Sequence, residues 1–312
     1  MDKYGGSLLN RSRNCDFEQV GDILIVNPLT HSALVETDEY FMDEQSGYKA
    51  VKSDGVIYFH PDMDEFADYD SDDLHLLYKA EQSHFWFVNR REVIRRVFQK
   101  YVGLHMQLIE IGAGTGNIAQ MLSQMGYPIS VGEIHAVGLH YAKSYGIQNL
   151  YQFNLLEAPF VEHFDGVAMF DVLEHIEHDH DAIRNVALML RPNGLVILTV
   201  PAHSWLWSQD DIIGHHKRRY TRSSLSQVLT DNGFEVLHIS YFFIAILPLL
   251  LLRTLIRNAN KPIPKQLNKE IKMNKLLNFI LHQVTQFENR WLPDVKFPFG
   301  GSLIAVARKM GG

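Results

Sequence analysis

A short apolar segment followed by three closely spaced glycines is the feature that most constrains this chain. Residues 107–121 read QLIEIGAGTGNIAQM, so an apolar run leads into Gly112, Gly114 and Gly116 and then into a helical pattern. Glycine has no Cβ, so the backbone can adopt positive φ and a ligand can approach the main chain closely. The helix that follows presents unpaired N–H groups at the positive end of its dipole. We therefore expect a strand, a ligand-binding loop and a helix.

The spacing of the glycines and the acids around them restrict the ligand. A dinucleotide fingerprint G-x-G-x-x-G requires glycine at position 117, where this chain has Asn117. Glu110, two residues before the first glycine, would repel a pyrophosphate but could accept a hydrogen bond from an amino group. Glu133 ends the next apolar run and is positioned for ribose hydroxyls. A cationic amino acid joined to a nucleoside fits this pattern better than a dinucleotide.

Composition narrows the class of protein further. The chain has 312 residues, of which 46% are apolar, and this is enough to build a substantial core. Its net charge of -7 argues against nucleic acid as a partner. Cys15 is the only cysteine, which excludes an internal disulfide and a cysteine-rich zinc site. The N-terminal residues lack the apolar segment of a signal peptide, so we expect a cytoplasmic protein.

Strand-like and helical segments alternate after the glycine loop, and this predicts an α/β fold with a parallel sheet. The strand candidates are 129–133, 150–153, 164–170 and 195–200, followed by 234–243 and 301–308. Ligands of such sheets bind at the carboxyl ends of the strands. Five residues lie at or just beyond those ends: Glu110, Glu133, Asn154, Asp171 and Pro201.

The glycine loop together with Glu110 and Glu133 resembles motif I and its partner acid in class I S-adenosylmethionine-dependent methyltransferases. The resemblance covers roughly residues 80–310. It implies a doubly wound Rossmann-like sheet of seven strands, mostly parallel with an antiparallel C-terminal hairpin, and S-adenosyl-L-methionine as cofactor. Asn154 departs from the family, which usually has an acid there; it could instead be a plain turn residue. The cofactor-binding residues that the resemblance implies are Trp86, Arg90, Glu110, Gly112, Ala113, Gly114, Gly116, Glu133, Ile134, Asn154, Leu155, Phe170 and Asp171.

The resemblance also suggests how the chain is divided. We expect a small β-rich unit at 1–70, a helical cap at 71–104, a methyltransferase core at 105–243 and 300–312, and a helical insertion at 244–299. Residues 53–61 resemble the end of the zinc ribbon that precedes some of these methyltransferases, but the cysteine pairs are missing and we predict no zinc. The acidic stretch 62–73 is interpreted as a solvated linker or helix start.

The segment after the fourth strand contains Asp171, Glu174 and His175 at helical spacing, and three interpretations stay open. The three residues could shape the cofactor pocket and cap the next helix. His175 could be a general base for a hydroxyl acceptor. The trio also resembles the acid and histidine cluster of quinone-pathway O-methyltransferases, which can hold a divalent metal. A metal is therefore considered but not predicted, and His178 and His180 are expected at the surface.

A polar loop follows the fifth strand and resembles the Asp...His-x-Arg-Arg-Tyr segment of the same subfamily. That resemblance puts His216, Arg218, Arg219 and Tyr220 over the acceptor pocket, with His216 as a second candidate catalytic residue. Arginines there could bind a phosphate or carboxylate, or the loop could be merely exposed and basic. Trp205 and Trp207 could line the acceptor site or only pack the loop.

Residues 244–275 combine an apolar run with a series of lysines and arginines. The run is interrupted by Pro248 and ends at Arg253, which argues against a transmembrane helix. Contact with an anionic membrane surface and a buried helix with a basic neighbour are the two interpretations. A helical stripe follows and is interpreted as core rather than a partner surface: Leu276, Ile280, Val284, Phe287 and Trp291.

Together these features predict an S-adenosylmethionine-dependent methyltransferase acting on a small or lipid-linked acceptor, with O-methylation favoured. Two alternatives are kept. One is a nicotinamide-dependent oxidoreductase, against which Glu110 and Asn117 count. The other is a non-catalytic cofactor-binding or membrane-surface module on the same fold. The sequence does not indicate an oligomeric state.

Overall fold

The computed structural model describes residues 25–59, 71–257 and 273–311. Part of the predicted β-rich unit at 1–70 and most of the acidic stretch 62–73 lie outside these ranges, and so do Lys261, Lys265, Lys269 and Lys272. The described strands are β1 Val35–Glu36, β2 Tyr40–Met42, β3 Lys49–Ser53, β4 Val56–Tyr58, β5 Leu108–Ile111, β6 Ile129–Glu133, β7 Leu150–Gln152, β8 Phe164–Phe170, β9 Leu190–Pro201, β10 Phe234–Phe242 and β11 Ser302–Lys309.

Helices connect most of the strands after β4. They are α1 Ser71–Glu81, α2 Phe85–Tyr101, α3 Asn117–Gln124, α4 Ala136–Ser144, α5 Asp179–Met189, α6 Gln209–Ile213, α7 Arg222–Asp231, α8 Leu247–Arg257 and α9 Lys275–Asn289. Two helix ends have the residues that commonly cap helices. Gly126, just beyond α3, has φ of 93°, and Thr221 caps α7 by accepting a hydrogen bond from the Ser224 N–H.

The seven strands predicted from the sequence form the centre of one sheet in the order β7-β6-β5-β8-β9-β11-β10. Neighbouring strands from β7 to β9 are parallel. The last strand in sequence, β11, is antiparallel to both β9 and β10, and this confirms the predicted C-terminal hairpin. The doubly wound Rossmann-like fold is therefore confirmed.

The sheet is wider than predicted because the N-terminal strands join it. β1 to β4 form an antiparallel meander, and β4 then pairs in parallel with β7, with Ile57 opposite Tyr151. The result is a sheet of eleven strands among the described residues. The division of the chain into separate domains stays a prediction.

Alternating side chains of the central strands fill two buried clusters, one on each face of the sheet. Val167 and Met169 of β8 pack on one side with residues of α5 and α7. Ala168 and Phe170 pack on the other side with residues of α2, α3 and α4. This period of two, on strands buried on both faces, is what a parallel sheet between helical layers requires. It leaves the carboxyl ends of the strands open at one edge of the fold.

Helix α9 corrects one prediction. The stripe interpreted as core is exposed: Leu276, Ile280, Val284, Phe287 and Trp291 all face solvent. The buried side of α9 is largely polar and includes Thr285, Glu288 and Asn289. The prediction was wrong because helical periodicity reveals that a helix has an apolar face without telling which side packs on the protein.

Candidate active site

A cavity of about 850 Å³ opens at the carboxyl ends of β5, β6, β8 and β9, where the fold predicts a ligand. It is also lined by residues of α1, α2 and α8. Fourteen of the fifteen predicted site residues line this cavity: Trp86, Arg90, Glu110, Gly112, Ala113, Gly114, Glu133, Ile134, Asn154, Leu155, Phe170, Asp171, His175 and His216. Residues predicted from separate motifs are thus brought together in one space.

The glycine loop is held to the end of β6 by Glu133. The Gly114 N–H donates to Oε2 of Glu133 at 2.8 Å, while Oε1 accepts from the N–H groups of Ile134 at 2.8 Å and His135 at 3.1 Å. Gly112 and Gly114 have φ of 64° and 56°, which explains why glycine is needed there. The buried carboxylate therefore fixes the loop conformation while leaving lone pairs for a further donor.

Gly116 is the predicted residue that does not line the cavity. It is the residue before α3, with φ of 75°. A Cβ at this position would lie 2.8 Å from the Cβ of Ala142 in α4. Its role is therefore the close packing of α3 against α4, which a linear motif cannot distinguish from ligand contact.

A charged cluster lies under the loop. Arg90 of α2 forms an ion pair with Asp171, whose other oxygen accepts a hydrogen bond from Thr199 Oγ1 at 3.0 Å. Glu110 is buried beside them, and this burial raises its pKa to about 8 despite the opposing effect of Arg90. Glu110 Oε2 and Arg90 Nε are buried and have no hydrogen-bond partner within the described ranges. The cluster thus offers an unused acceptor and an unused donor.

Two further predicted residues have structural partners as well as a position on the cavity wall. Asn154 accepts a hydrogen bond from the Leu156 N–H at 3.0 Å and so caps a short 3-10 turn. Trp86 stacks on Phe243 with ring centroids 4.1 Å apart. Each side chain therefore has a structural contact, and its contact with a cofactor stays a prediction.

Another part of the cavity wall contains a histidine oriented by an aspartate. His216 Nδ1 lies 2.9 Å from Oδ1 of Asp211, which is fully buried. Asp211 also accepts hydrogen bonds from Arg219 at 2.7 and 3.0 Å and from the Ser208 N–H at 2.7 Å. Burial alone would raise the pKa of Asp211, but the hydrogen bonds from His216 and Arg219 outweigh it and lower that pKa. A stable carboxylate therefore fixes the imidazole.

Glu174 and His175 lie next to this pair. The His175 and His216 rings are edge to face, with centroids 4.7 Å apart. Burial and the nearby His216 lower the pKa of His175 to about 4, so its ring is neutral at pH 7. Both carboxylate oxygens of Glu174 lack a partner in the described part of the chain, and burial raises its pKa well above the usual range. Ligand atoms of Glu174, His175 and His216 lie within 4.8 Å of one another, as a metal site requires.

Comparison with known proteins decides the family. A family model described as "Methyltransferase domain" matches residues 78–239, which is half of the chain. The chain belongs to this family. The predicted class, an S-adenosylmethionine-dependent methyltransferase, is therefore confirmed, and the nicotinamide-dependent alternative is not supported.

Individual relatives of the methyltransferase are distant. It is 22% identical over 165 residues to a ubiquinone biosynthesis O-methyltransferase of Rickettsia canadensis, covering 46% of this chain and 69% of the relative. It is 29% identical over 105 residues to the same enzyme of Bradyrhizobium diazoefficiens, covering 32% and 42%. The fold resembles phosphoethanolamine N-methyltransferase 2 of Haemonchus contortus in complex with S-adenosyl-L-methionine, with a TM-score of 0.50, 16% identity and coverage of 78% and 58%.

The predicted roles of several loop residues in the methyltransferase are not supported by their contacts. Arg218 pairs with Asp179 of α5 at 2.9 Å, and the buried Tyr220 donates its hydroxyl to the same carboxylate at 2.8 Å. Both therefore fix the loop to α5 instead of facing the acceptor. Arg219 does line the cavity, but Asp211 occupies its guanidinium. Trp205 and Trp207 are not among the lining residues, and His178 and His180 are exposed as expected.

Two helices, α1 and α8, contribute residues to the cavity wall that were not predicted from the sequence. Leu74, Leu77 and Glu81 of α1 close the cavity above the glycine loop, and Glu81 accepts a hydrogen bond from Thr115 Oγ1. Leu249, Leu250 and Arg253 of α8 line the other end. The apolar run of α8 was visible in the sequence, whereas no local signal connects α1 with a loop 34 residues later. Within the described ranges, no helix is long and apolar enough to span a bilayer.

Proposed function

We propose that this methyltransferase transfers the methyl group of S-adenosylmethionine to a hydroxyl oxygen of a small, apolar acceptor, with His216 as the general base. The observation that carries the proposal is the Asp211–His216 pair at the cavity wall, at 2.9 Å. A neutral imidazole that donates Nδ1–H to a carboxylate has Nε2 available as a proton acceptor. An oxygen acceptor needs such a base because a neutral hydroxyl is a weak nucleophile.

We infer that the charged cluster under the glycine loop binds the methionine part of the cofactor. A zwitterionic amino acid brings an ammonium donor and a carboxylate acceptor, which complement the unpartnered Glu110 Oε2 and Arg90 Nε. We assign the ammonium group to Glu110 and the carboxylate to Arg90. Glu133 would accept from the ribose, and Ile134, Asn154 and Leu155 would surround the adenine.

The transfer is a single in-line displacement. The hydroxyl oxygen forms a bond to the methyl carbon as the carbon–sulfur bond breaks, and the sulfur keeps the electron pair to give S-adenosylhomocysteine. The hydroxyl proton passes to Nε2 of His216, and Asp211 stabilises the resulting imidazolium. Because the sulfonium is already an activated leaving group, holding both reactants in line is the main contribution, about 7 to 11 kcal/mol in favourable cases.

An apolar acceptor is supported by the walls of the cavity away from the glycine loop. Leu206, Ile213, Ile246, Leu249 and Leu250 contribute apolar surface there. The curated relatives carry the name ubiquinone biosynthesis O-methyltransferase, and a ring hydroxyl with an apolar tail would suit such a wall. A phenolic or lipid-linked hydroxyl compound is therefore the acceptor class that we propose.

A second candidate mechanism uses a divalent cation. Glu174, His175 and His216 would hold it, and the two unpartnered carboxylate oxygens of buried Glu174 are the observation that favours it. A bound cation would lower the pKa of the acceptor hydroxyl as a Lewis acid. Here His216 is a ligand instead of the base, and Glu174 is needed as well.

The test is methyl transfer from radiolabelled S-adenosylmethionine to a panel of phenols with and without apolar tails. We expect His216→Ala to lower kcat by about 10²- to 10⁴-fold, with unchanged binding of S-adenosylhomocysteine by calorimetry. His178→Ala is the matched control because His178 is exposed and makes no side-chain cap to α5. The base mechanism predicts that activity survives chelation of divalent cations.

Different outcomes separate the two mechanisms. Loss of activity on chelation, with recovery on adding Mg²⁺ and a matching loss in Glu174→Gln, would replace the base mechanism with the cation mechanism. Full activity of His216→Ala toward every phenol that the wild type methylates would contradict both.

A further inference from the structure

Helix α9 has its polar side inward, and hydrogen bonds hold that side to the protein. Asn278 Oδ1 accepts from the Phe85 N–H at 2.8 Å, and its amide donates to the Ser83 carbonyl at 2.9 Å. Glu288 accepts from the N–H groups of Ile244 and Ala245 at 3.0 and 2.9 Å. Asn289 Nδ2 donates to the Asn89 carbonyl at 3.1 Å. Helix α9 is therefore attached to the protein through polar contacts, while its apolar residues face outward and are available to a partner.

The outer side of α9 and the outward-facing residues of α8 are both apolar. Of the twenty-two large apolar side chains that are exposed among the described residues, thirteen lie between positions 249 and 299. We call these residues the apolar face: Leu249, Leu251, Leu252, Leu255, Leu276, Leu277, Phe279, Ile280, Val284, Phe287, Trp291, Val295 and Phe299. Concentrations of this kind on a folded protein mark interaction surfaces.

Charge indicates what covers the apolar face. The sequence from Arg253 to Lys275 contains seven lysines and arginines and one acid, in a chain whose net charge is -7. Arg290 and Lys296 add exposed cations beside the apolar residues of α9 and the segment after it. Apolar residues flanked by cations are the composition of a helix that lies in the interface of an anionic bilayer.

The apolar face is continuous with the cavity. Leu249, Leu250 and Arg253 of α8 line the cavity, while Leu251, Leu252 and Leu255 of the same helix are exposed. Met273, two residues before α9, also lines it. Leu249 belongs to both the apolar face and the cavity wall, so an apolar compound leaving a bilayer beneath the apolar face would meet the cavity at this residue.

We propose that the apolar face docks the methyltransferase onto an anionic phospholipid bilayer, with α8 and α9 lying in the interface. This docking rests on the proposed function in one respect only, namely that an apolar acceptor enters the cavity from the bilayer. A bilayer is favoured over a second copy of the chain because the basic segments of two copies would repel each other, whereas anionic headgroups complement them.

The experiment is flotation of the full chain with vesicles of phosphatidylcholine alone and of phosphatidylcholine with phosphatidylglycerol. We expect co-flotation that requires the anionic lipid and weakens with salt. The double variant Phe287→Ser/Trp291→Ser should lower the partition coefficient by about tenfold or more, because both side chains lose apolar burial. The matched control is Val35→Ser/Leu104→Ser, since these residues are 55% and 58% exposed, against 61% and 54% for Phe287 and Trp291.

Each result has a defined meaning. Absence of flotation at any anionic fraction, or equal loss in both double variants, would overturn the proposal. A lipid-free dimer by analytical ultracentrifugation that only Phe287→Ser/Trp291→Ser dissociates would assign the apolar face to a second copy instead. Binding of S-adenosylhomocysteine is measured in the same samples, so a failure of the proposed function is recognised separately from a failure of docking.

Discussion

The two ends of the cavity are built in different ways. The cofactor end is formed by the carboxyl ends of β5 and β6 and by the loop that Glu133 holds. The acceptor end combines segments far apart in the chain, from Glu174 to His216 and on to α8. The first is anchored directly at strand ends, whereas the second is built from residues of loops and helices.

This difference separates what the fold fixes from what it leaves variable. Parallel strand ends lie at one edge in any sheet of this topology, so the cofactor end follows from the fold. Loops and helical insertions can change without disturbing the sheet, so the acceptor end can be altered independently. We therefore expect substitutions at the cofactor end to abolish binding of the cofactor. Substitutions at the acceptor end should instead change the rate of methyl transfer or the stability of the fold.

The largest effect on cofactor binding is expected for Gly114→Arg. Gly114 has φ of 56°, and its N–H bonds to Glu133, so a side chain there strains the loop and enters the cavity. We expect at least about a hundredfold loss of S-adenosylhomocysteine affinity by calorimetry, which corresponds to roughly 2.7 kcal/mol. Gly47→Arg is the control, because Gly47 has φ of 75° and open space around its Cβ position. Equal affinity of the two variants for S-adenosylhomocysteine would contradict a cofactor site at the glycine loop.

A smaller effect is expected from pH. Because burial raises the pKa of Glu110 to about 8, the free protein holds a proton there at pH 7 that must leave before the carboxylate can pair with an ammonium group. Affinity for S-adenosylhomocysteine should therefore rise with pH from about 6 to 8, by at most about tenfold per unit. Calorimetry in buffers of different ionisation enthalpy should show proton release at pH 7. Glu110→Gln should bind more weakly and without this slope; a slope that persists would remove Glu110 from the cofactor site.

A third effect, on stability instead of binding, is expected where α9 docks on α2. Asn289→Ala removes a donor to the Asn89 carbonyl in a fully buried site and should cost about 1 to 3 kcal/mol of unfolding free energy. Gln283→Ala, on the exposed side of the same helix, should change it by less than about 0.5 kcal/mol. Urea denaturation measures both. Equal changes would mean that α9 is not held through its polar side.

The same contrast explains how far the sequence could be interpreted. The strand–loop–helix at residues 107–124 was predictable because periodicity and glycine spacing are local signals. Arg218 and Tyr220 were misinterpreted because their partner, Asp179, lies about 40 residues earlier and nothing local identifies it. Gly116 was assigned to the ligand because the sequence shows only that glycine is needed at this position. It does not show whether the need comes from a ligand or from close packing of two helices. The prediction that the apolar stripe of α9 is core was wrong for a related reason. The polar residues on the other side of this helix meet their partners only in the folded chain.

The pairing of β4 with β7 has a consequence for solubility. Without it, β7 would present its backbone N–H and C=O groups to any other strand, and unpaired edges of this kind promote aggregation. Among the described residues, the N-terminal meander moves the edge outward to β1, which has only two residues, one of them Glu36, and both are exposed. Short, charged edges are poor templates for pairing. The first strands therefore protect the Rossmann-like sheet, and a chain shortened to the region of family resemblance would lose that protection.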